Sequence, residues 1–102
     1  MASSKEYLDF ILDTCGELSF RAMMGEYLLY YKGRLVGGIY DNRLLVKPVN
    51  AAKRLLQGAS EELPYDGAKP MLLVENAEDG EFLSALFEAM HAELPAPKKK
   101  KD

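Results

Sequence analysis

The fold of this chain is decided by the stretch from Arg21 to Pro48, RAMMGEYLLYYKGRLVGGIYDNRLLVKP. Apolar and aromatic runs alternate in it with turn residues at short intervals, a rhythm typical of an antiparallel β-meander. Glycine, asparagine and aspartate tolerate the positive φ that tight hairpin turns require, and they stand at each interruption. We therefore predict four strands, which run from Leu18 to Met23, Glu26 to Tyr31, Arg34 to Tyr40 and Leu44 to Lys47.

A helical pattern precedes the meander. Ser3 and Glu6 have capping-box spacing, and apolar residues then recur at helical intervals as far as Cys15. Gly16 follows and suits the end of a helix. The sequence therefore predicts a first helix from Ser4 to Thr14.

Two further helices and one strand follow the meander. Asn50 is placed to cap a short second helix that extends to Leu56, and Asn76 is placed to cap a third helix with an apolar stripe to Met90. The apolar run from Met71 to Val74 predicts a fifth strand between these helices. We predict an α+β fold in which an antiparallel meander sheet of about five strands is flanked by helices, in the order α-β-β-β-β-α-β-α.

Composition indicates an ordinary globular protein, with 48% hydrophobic and 28% charged residues in 102. We expect a single domain over residues 1–94, followed by a flexible Pro/Lys-rich tail over residues 95–102. Cys15 is the sole cysteine, so an intramolecular disulfide is excluded, and charges interrupt the N-terminus where a signal peptide would be apolar. A cytoplasmic location is therefore expected.

The sequence resembles the N-terminal domain family of TfoX/Sxy-like competence regulators from about Tyr7 to Leu94. The resemblance rests on the loop PYDGAKPM, from Pro64 to Met71, and on Arg21, Met23, Met24, Gly25, Gly37, Gly38, Lys47 and Pro48. It implies a secretion-chaperone-like α+β fold and a family named for regulators of bacterial natural competence. Those regulators carry a second, helical domain at the C-terminus, so this chain resembles a stand-alone N-terminal module.

Residues for catalysis or metal binding are sparse. His91 is the sole histidine, so no histidine pair can bind a metal, and the glycines form no phosphate-binding motif. We expect no metal, no cofactor and no enzymatic activity. An enzyme remains a minor alternative, with Cys15 and His91 as its only plausible reactive pair; the simpler interpretation is a small core residue and a partly exposed helix residue.

The tyrosines of the second strand raise the question of binding. Period-2 alternation would place Tyr27 and Tyr31 on one face of the sheet and Tyr30 on the other, and both faces cannot be equally buried in so small a domain. An exposed tyrosine face beside Arg34, Arg43 and Lys47 would suit a protein partner. Ordinary core and rim packing is the alternative interpretation. The second functional hypothesis is nucleic-acid binding, in which the tyrosines stack on bases while Arg34, Arg43 and Lys47 contact phosphates; the acidic net charge of −3 opposes it.

The loop from Pro64 to Met71 has two open interpretations. Its prolines and Asp66-Gly67 shape a turn, so the sequence would suit a structural role; alternatively the loop displays Tyr65 and Lys69 for recognition.

Our leading hypothesis is a non-enzymatic protein-binding module with a role in transcriptional regulation. The candidate contact residues are Arg21, Tyr65, Lys69, Tyr27, Tyr31 and Arg34. A homodimer is also predicted, because a small sheet with an open edge or a helix-poor face is commonly covered by a second copy.

Overall fold

The computed structural model describes residues 4–94 and has an α+β architecture, in which three helices pack with a six-stranded antiparallel sheet. The predicted fold class is confirmed. The sheet order is β1-β2-β3-β4-β6-β5. In chain order the elements are α1 Lys5–Thr14, β1 Leu18–Met23, β2 Glu26–Tyr31, β3 Arg34–Tyr40, β4 Arg43–Val46, α2 Asn50–Leu55, β5 Glu61–Glu62, β6 Met71–Leu73 and α3 Gly80–His91. Ser3 and the predicted tail over residues 95–102 lie outside the described residues.

Three tight hairpin turns join the first four strands, as predicted. Each turn has two central residues with positive φ, at Met24-Gly25, Lys32-Gly33 and Asp41-Asn42. Positive φ at both central residues is the signature of a type I′ turn, whose twist matches that of the flanking strands. The turn residues therefore fix the meander locally, strand by strand.

The glycine pair of β3 lies where neighbouring backbone comes very close. A Cβ on Gly37 would collide with the carbonyl oxygen of Leu45 and lie 2.8 Å from the Cα of Val46, while one on Gly38 would lie 2.6 Å from the carbonyl oxygen of Tyr27. The register between β2 and β3 also shifts at this level, which marks a β-bulge. The close packing predicted for this pair is confirmed.

The helices cover one face of the sheet and leave the other without a helix. Cross-strand partners share a face, so Leu29, Gly37 and Val46 lie together, and Leu29 and Val46 belong to the hydrophobic core. All three helices contribute to that core, with Phe87 as its largest fully buried side chain. The alternate row, which includes Leu28, Gly38 and Leu45, faces the helix-free side.

The helix boundaries differ from the predictions at their caps. The side chain of Ser4 accepts a hydrogen bond from the backbone N–H of Tyr7, so the cap of α1 lies one residue later than predicted. Asp79, not Asn76, accepts from the N–H of Phe82 and begins α3. Asn50 is the first residue of α2 and makes no side-chain cap, and the helix ends at Leu55. The segments before α1 and α3 each contain more than one good capping residue, and the sequence pattern does not rank them.

Two strand predictions also need correction. β4 spans Arg43–Val46, one residue earlier than predicted, and β6 ends at Leu73. The short strand Glu61–Glu62 was not predicted; it pairs with β6 at the far edge of the sheet. A two-residue acidic strand has no apolar alternation to reveal it, so only the long-range pairing defines it.

Glu88 on α3 joins the helix to the second hairpin. Its Oε1 accepts hydrogen bonds from the Tyr31 hydroxyl and from Lys32 Nζ, both at 2.9 Å. The bond from Lys32, with a smaller contribution from Tyr31, lowers the pKa of the Glu88 carboxyl below its ordinary value of 4.5. A carboxyl whose pKa is lower in the folded state than in the unfolded state stabilises the fold at any pH above its unfolded pKa. This stabilisation is lost as the pH falls through the pKa of the folded state.

We therefore expect Glu88→Gln to lower the Tm near neutral pH and to lose this effect in acid. Thermal melts of both proteins between about pH 7 and pH 3 test this, because the Tm of the wild type should approach the Tm of the variant as Glu88 becomes protonated. Glu75→Gln, at an exposed loop position, is the matched control and should change neither the Tm nor its pH dependence. A constant Tm difference across this range would contradict the assignment.

Candidate functional site

The helix-free face is crossed by the loop between β5 and β6, called loop 63–70 here. Arg43 fixes the start of this loop: its Nη1 donates to Glu62 Oε1 at 2.8 Å, and its Nη2 donates to the carbonyl oxygen of Leu63 at 3.2 Å. Within the loop the N–H of Ala68 donates to the carbonyl oxygen of Tyr65 at 3.1 Å. The loop is therefore a folded structure anchored to the sheet.

Loop 63–70 forms one wall of a half-open pocket of about 550 Å³, whose other side is β3 and the segment that follows β4. The Tyr40 ring rises from the sheet and approaches the Tyr65 ring, with 6.2 Å between centroids. The pocket is mainly apolar and lies within the size range of sites for small molecules or protruding side chains. Its lining consists of Leu35, Gly37, Tyr40, Lys47, Pro48, Val49, Pro64, Tyr65, Ala68, Lys69, Pro70 and Met71.

Two lysines give the pocket its charge. Lys47 enters from the sheet side and Lys69 from the loop, and neither side chain forms an ion pair within residues 4–94. None of the described residues that line the pocket is acidic. Burial raises the pKa of Tyr40, with a smaller contribution from Tyr65, so the Tyr40 phenol stays neutral at physiological pH. The pocket therefore suits an apolar group that carries a negative charge.

The structure brings three of the predicted contact residues to the helix-free face. Tyr65 and Lys69 line the pocket, and the Tyr65 side chain is 58% exposed. Arg21 lies on the same face, because it pairs with Leu28, which pairs in turn with Gly38. Arg21 lies on β1, and the distance between β1 and β3 across the sheet is about 10 Å.

The two tyrosines Tyr27 and Tyr31 lie on the helix side of the sheet. Tyr31 is only 4% exposed; its ring packs against Phe87 at 5.7 Å and its hydroxyl is bonded to Glu88. Tyr27 is half-buried and its ring packs edge-on against Phe20 at 5.8 Å. The alternation of the tyrosines is as predicted, but the structure places Tyr31 in the core and not on an exposed surface.

The arginines of the nucleic-acid hypothesis are both engaged within the fold. Arg34 Nη1 donates to the carbonyl oxygens of His91 and Leu94 at 2.7 and 3.1 Å, where the guanidinium caps the C-terminal end of α3. Arg43 pairs with Glu62 and anchors the loop. Of the three basic residues in that hypothesis, Lys47 alone forms neither an ion pair nor a side-chain hydrogen bond with the described residues.

Comparison with known proteins finds an uncharacterised 12.7 kDa protein in the trpE 5′ region of Spirochaeta aurantia. It is 35% identical over 105 residues, which cover 99% of this chain and 91% of the relative. The chain belongs to the same family as this protein. No family model matches the sequence, and no solved structure matches it.

Cys15 and His91, the reactive pair considered above, occupy ordinary structural positions. Cys15 is buried, and its Sγ lies 3.8 Å from Ser84 Oγ. His91 is half-buried against the Tyr31 ring, at 6.1 Å between centroids.

Within residues 4–94 no group of three or more histidine, cysteine or acidic side chains is arranged to hold a metal ion. No helix in that range has the length and apolar character needed to cross a membrane.

The sequence did not indicate that Lys47 and Tyr40 belong to the same site as loop 63–70. From the sequence, Lys47 is part of the family resemblance and a basic neighbour of the tyrosine face, and Tyr40 is the last residue of the third predicted strand; neither position points to the loop. The available signal was the pair of Lys-Pro dipeptides, Lys47-Pro48 and Lys69-Pro70, in two segments that the resemblance had already singled out. Both dipeptides line the pocket.

Proposed function

We propose that this protein is a non-enzymatic cytoplasmic binding module of the TfoX N-terminal type, which acts through protein contacts in transcriptional regulation. The observation that carries the proposal is the pocket under loop 63–70, where aromatic and proline side chains surround two lysines and no residue of the lining within 4–94 is acidic. Such a mixture of rigid apolar surface and a few polar groups is characteristic of recognition sites.

The pocket's chemistry defines the partner segment. An apolar side chain of the partner would insert between Tyr65 and the sheet, and an adjacent carboxylate would pair with Lys47 and Lys69. A charge-assisted hydrogen bond to a lysine is strong in a partly enclosed apolar site. We therefore expect the partner to present an exposed apolar residue beside an acidic one.

The TfoX resemblance supports the same site. The loop Pro64–Met71 and the dipeptide Lys47-Pro48, two of the separated motifs that carry it, both line the pocket, and Gly37 lies beneath them. A structural role for the loop alone would not require two lysines, neither of them ion-paired to a described residue, to converge on one pocket. The proposal thus accounts for both the motifs and the charge.

The test is capture of a partner from the lysate of the host by tagged protein. We expect the double variant Tyr65→Ala/Lys69→Ala to retain the fold and lose captured partner by about tenfold or more, since a few residues at the centre of an interface, with tyrosine prominent among them, contribute most of its binding energy. The matched control is Phe10→Ala/Lys53→Ala, which removes one exposed aromatic and one exposed lysine from the helix side. Equal capture by both variants and wild type would overturn the site.

A further inference from the structure

β1 forms an open edge of the sheet. Five of its six residues are exposed, among them Phe20, whose side chain is 44% exposed. Proline, which commonly protects edge strands, is absent from Leu18–Met23, and Arg21 is the single charged residue of the strand. At the opposite edge β5 is only two residues long and consists of Glu61 and Glu62, so it is protected by its length and charge.

The direction of the backbone groups on this edge follows from the hairpin. Met24-Gly25 form a two-residue turn, so Met23 and Glu26 are the hydrogen-bonded pair that closes it. Hydrogen-bonded and non-bonded pairs alternate along an antiparallel ladder, which points the N–H and C=O groups of Phe20 and Ala22 away from β2. Within residues 4–94 no hydrogen bond to these outward groups is found.

We propose that β1 pairs antiparallel with β1 of a second copy of this chain, with Phe20 opposite Phe20. In a dimer with two-fold symmetry, residues that face each other across the two β1 strands must lie on the same face of the sheet. The symmetry axis therefore passes between one residue and the same residue of the other copy. Centring on Phe20 forms four main-chain hydrogen bonds: two between the Phe20 residues, and one from each Ala22 N–H to the Leu18 carbonyl oxygen of the other copy. It also brings the two exposed aromatic rings together.

The neighbouring registers are disfavoured. A register centred on Arg21 would place the two guanidinium groups opposite each other in a non-hydrogen-bonded pair, in which side chains are closest. Like charges directly opposite each other are destabilising. Centring on Ser19 would require the N–H of Leu18, which already donates to the carbonyl oxygen of Cys15 at 3.3 Å. In the Phe20-centred register Arg21 stands opposite Ser19, with no repulsion.

This pairing extends one sheet through both copies. It places the two helix-free faces side by side, with an Arg21 from each copy near the seam. The pocket under loop 63–70 lies on β3 and β4, away from the seam, and stays open in the dimer. The inference is therefore independent of what the pocket binds.

Cysteine cross-linking tests the register. In a Cys15→Ser background, Ser19→Cys and Arg21→Cys are made separately, and each protein is oxidised alone and after mixing. We expect disulfide-linked dimer mainly in the mixture, because Ser19 faces Arg21 as a close, non-hydrogen-bonded pair. Cross-linking of either single variant to the same extent as the mixture would overturn the register.

Sedimentation of the unmodified protein tests the dimer itself. We expect a dimer mass at tens of micromolar, and a shift of at least tenfold in the dimer dissociation constant for Phe20→Glu. Phe10→Glu, which changes an exposed phenylalanine on α1, is the control and should leave the constant unchanged. A monomer mass for the wild type would overturn the proposal. It would be overturned equally if β1 of the monomer paired with a strand of a different protein and not with a second copy.

Discussion

Gly37→Ala is expected to destabilise the protein by about 3 kcal/mol or more, because the added methyl group has no room between β3 and β4. The added Cβ would collide with the carbonyl oxygen of Leu45 and lie 2.8 Å from the Cα of Val46. Both are backbone atoms of the central strand β4, so no side-chain rotation can make room. Relief would require separation of β3 from β4 at the level where the sheet also forms the floor of the pocket.

Chemical denaturation and thermal melting measure this effect. Domains of this size unfold with roughly 5–15 kcal/mol, so a loss of about 3 kcal/mol should lower the Tm by more than about 10 °C. Gly16→Ala is the matched control, because a Cβ there meets nothing within 4 Å. Its free energy of unfolding should stay within about 0.5 kcal/mol of wild type. A Gly37→Ala variant as stable as this control would contradict the close packing of β3 on β4.

The meander was predictable because its information is local. Each of the turns Met24-Gly25, Lys32-Gly33 and Asp41-Asn42 lies between two short apolar runs and has residues that tolerate positive φ. The glycine pair Gly37-Gly38 was a further local clue, since glycine weakens a strand unless close packing requires it. The fold class followed from these few residues.

The remaining parts of the fold depend on contacts between distant segments. β5 consists of Glu61 and Glu62 and is defined by its pairing with β6 and by the ion pair of Glu62 with Arg43. Neither contact leaves a periodic pattern in the sequence. The cap of α3 shows a related limit, because Asn76 and Asp79 are both good capping residues and the sequence does not rank them.

The candidate site was predictable in part. Loop 63–70 was recognised as a possible recognition loop, and Tyr65 and Lys69 do line the pocket. The sequence does not indicate that Lys47 lies beside this loop, because that proximity depends on the folding of the loop over β3 and β4. Alternation along β2 separated Tyr31 from Tyr30 correctly, but periodicity does not reveal which face the helices cover.

Position 65 is expected to be in direct contact with a partner protein in the cell. A photoreactive benzoylphenylalanine at Tyr65 should attach covalently to the partner, because this side chain is exposed at the mouth of the pocket and would be covered on binding. The same group at Phe10, 42% exposed on α1 at the helix side, is the control and should give little adduct. The effect is close to all-or-none, since the reactive group attacks only atoms in contact with it.

Photo-cross-linking from position 65 in the living host is therefore the most direct measurement of the central claim that the helix-free face under loop 63–70 is the binding surface. The account predicts one dominant adduct between this chain and a different protein, formed from position 65 and not from position 10, and lost when Lys69 is also changed to alanine. Adducts that form equally from both positions, or only from position 10, would contradict it.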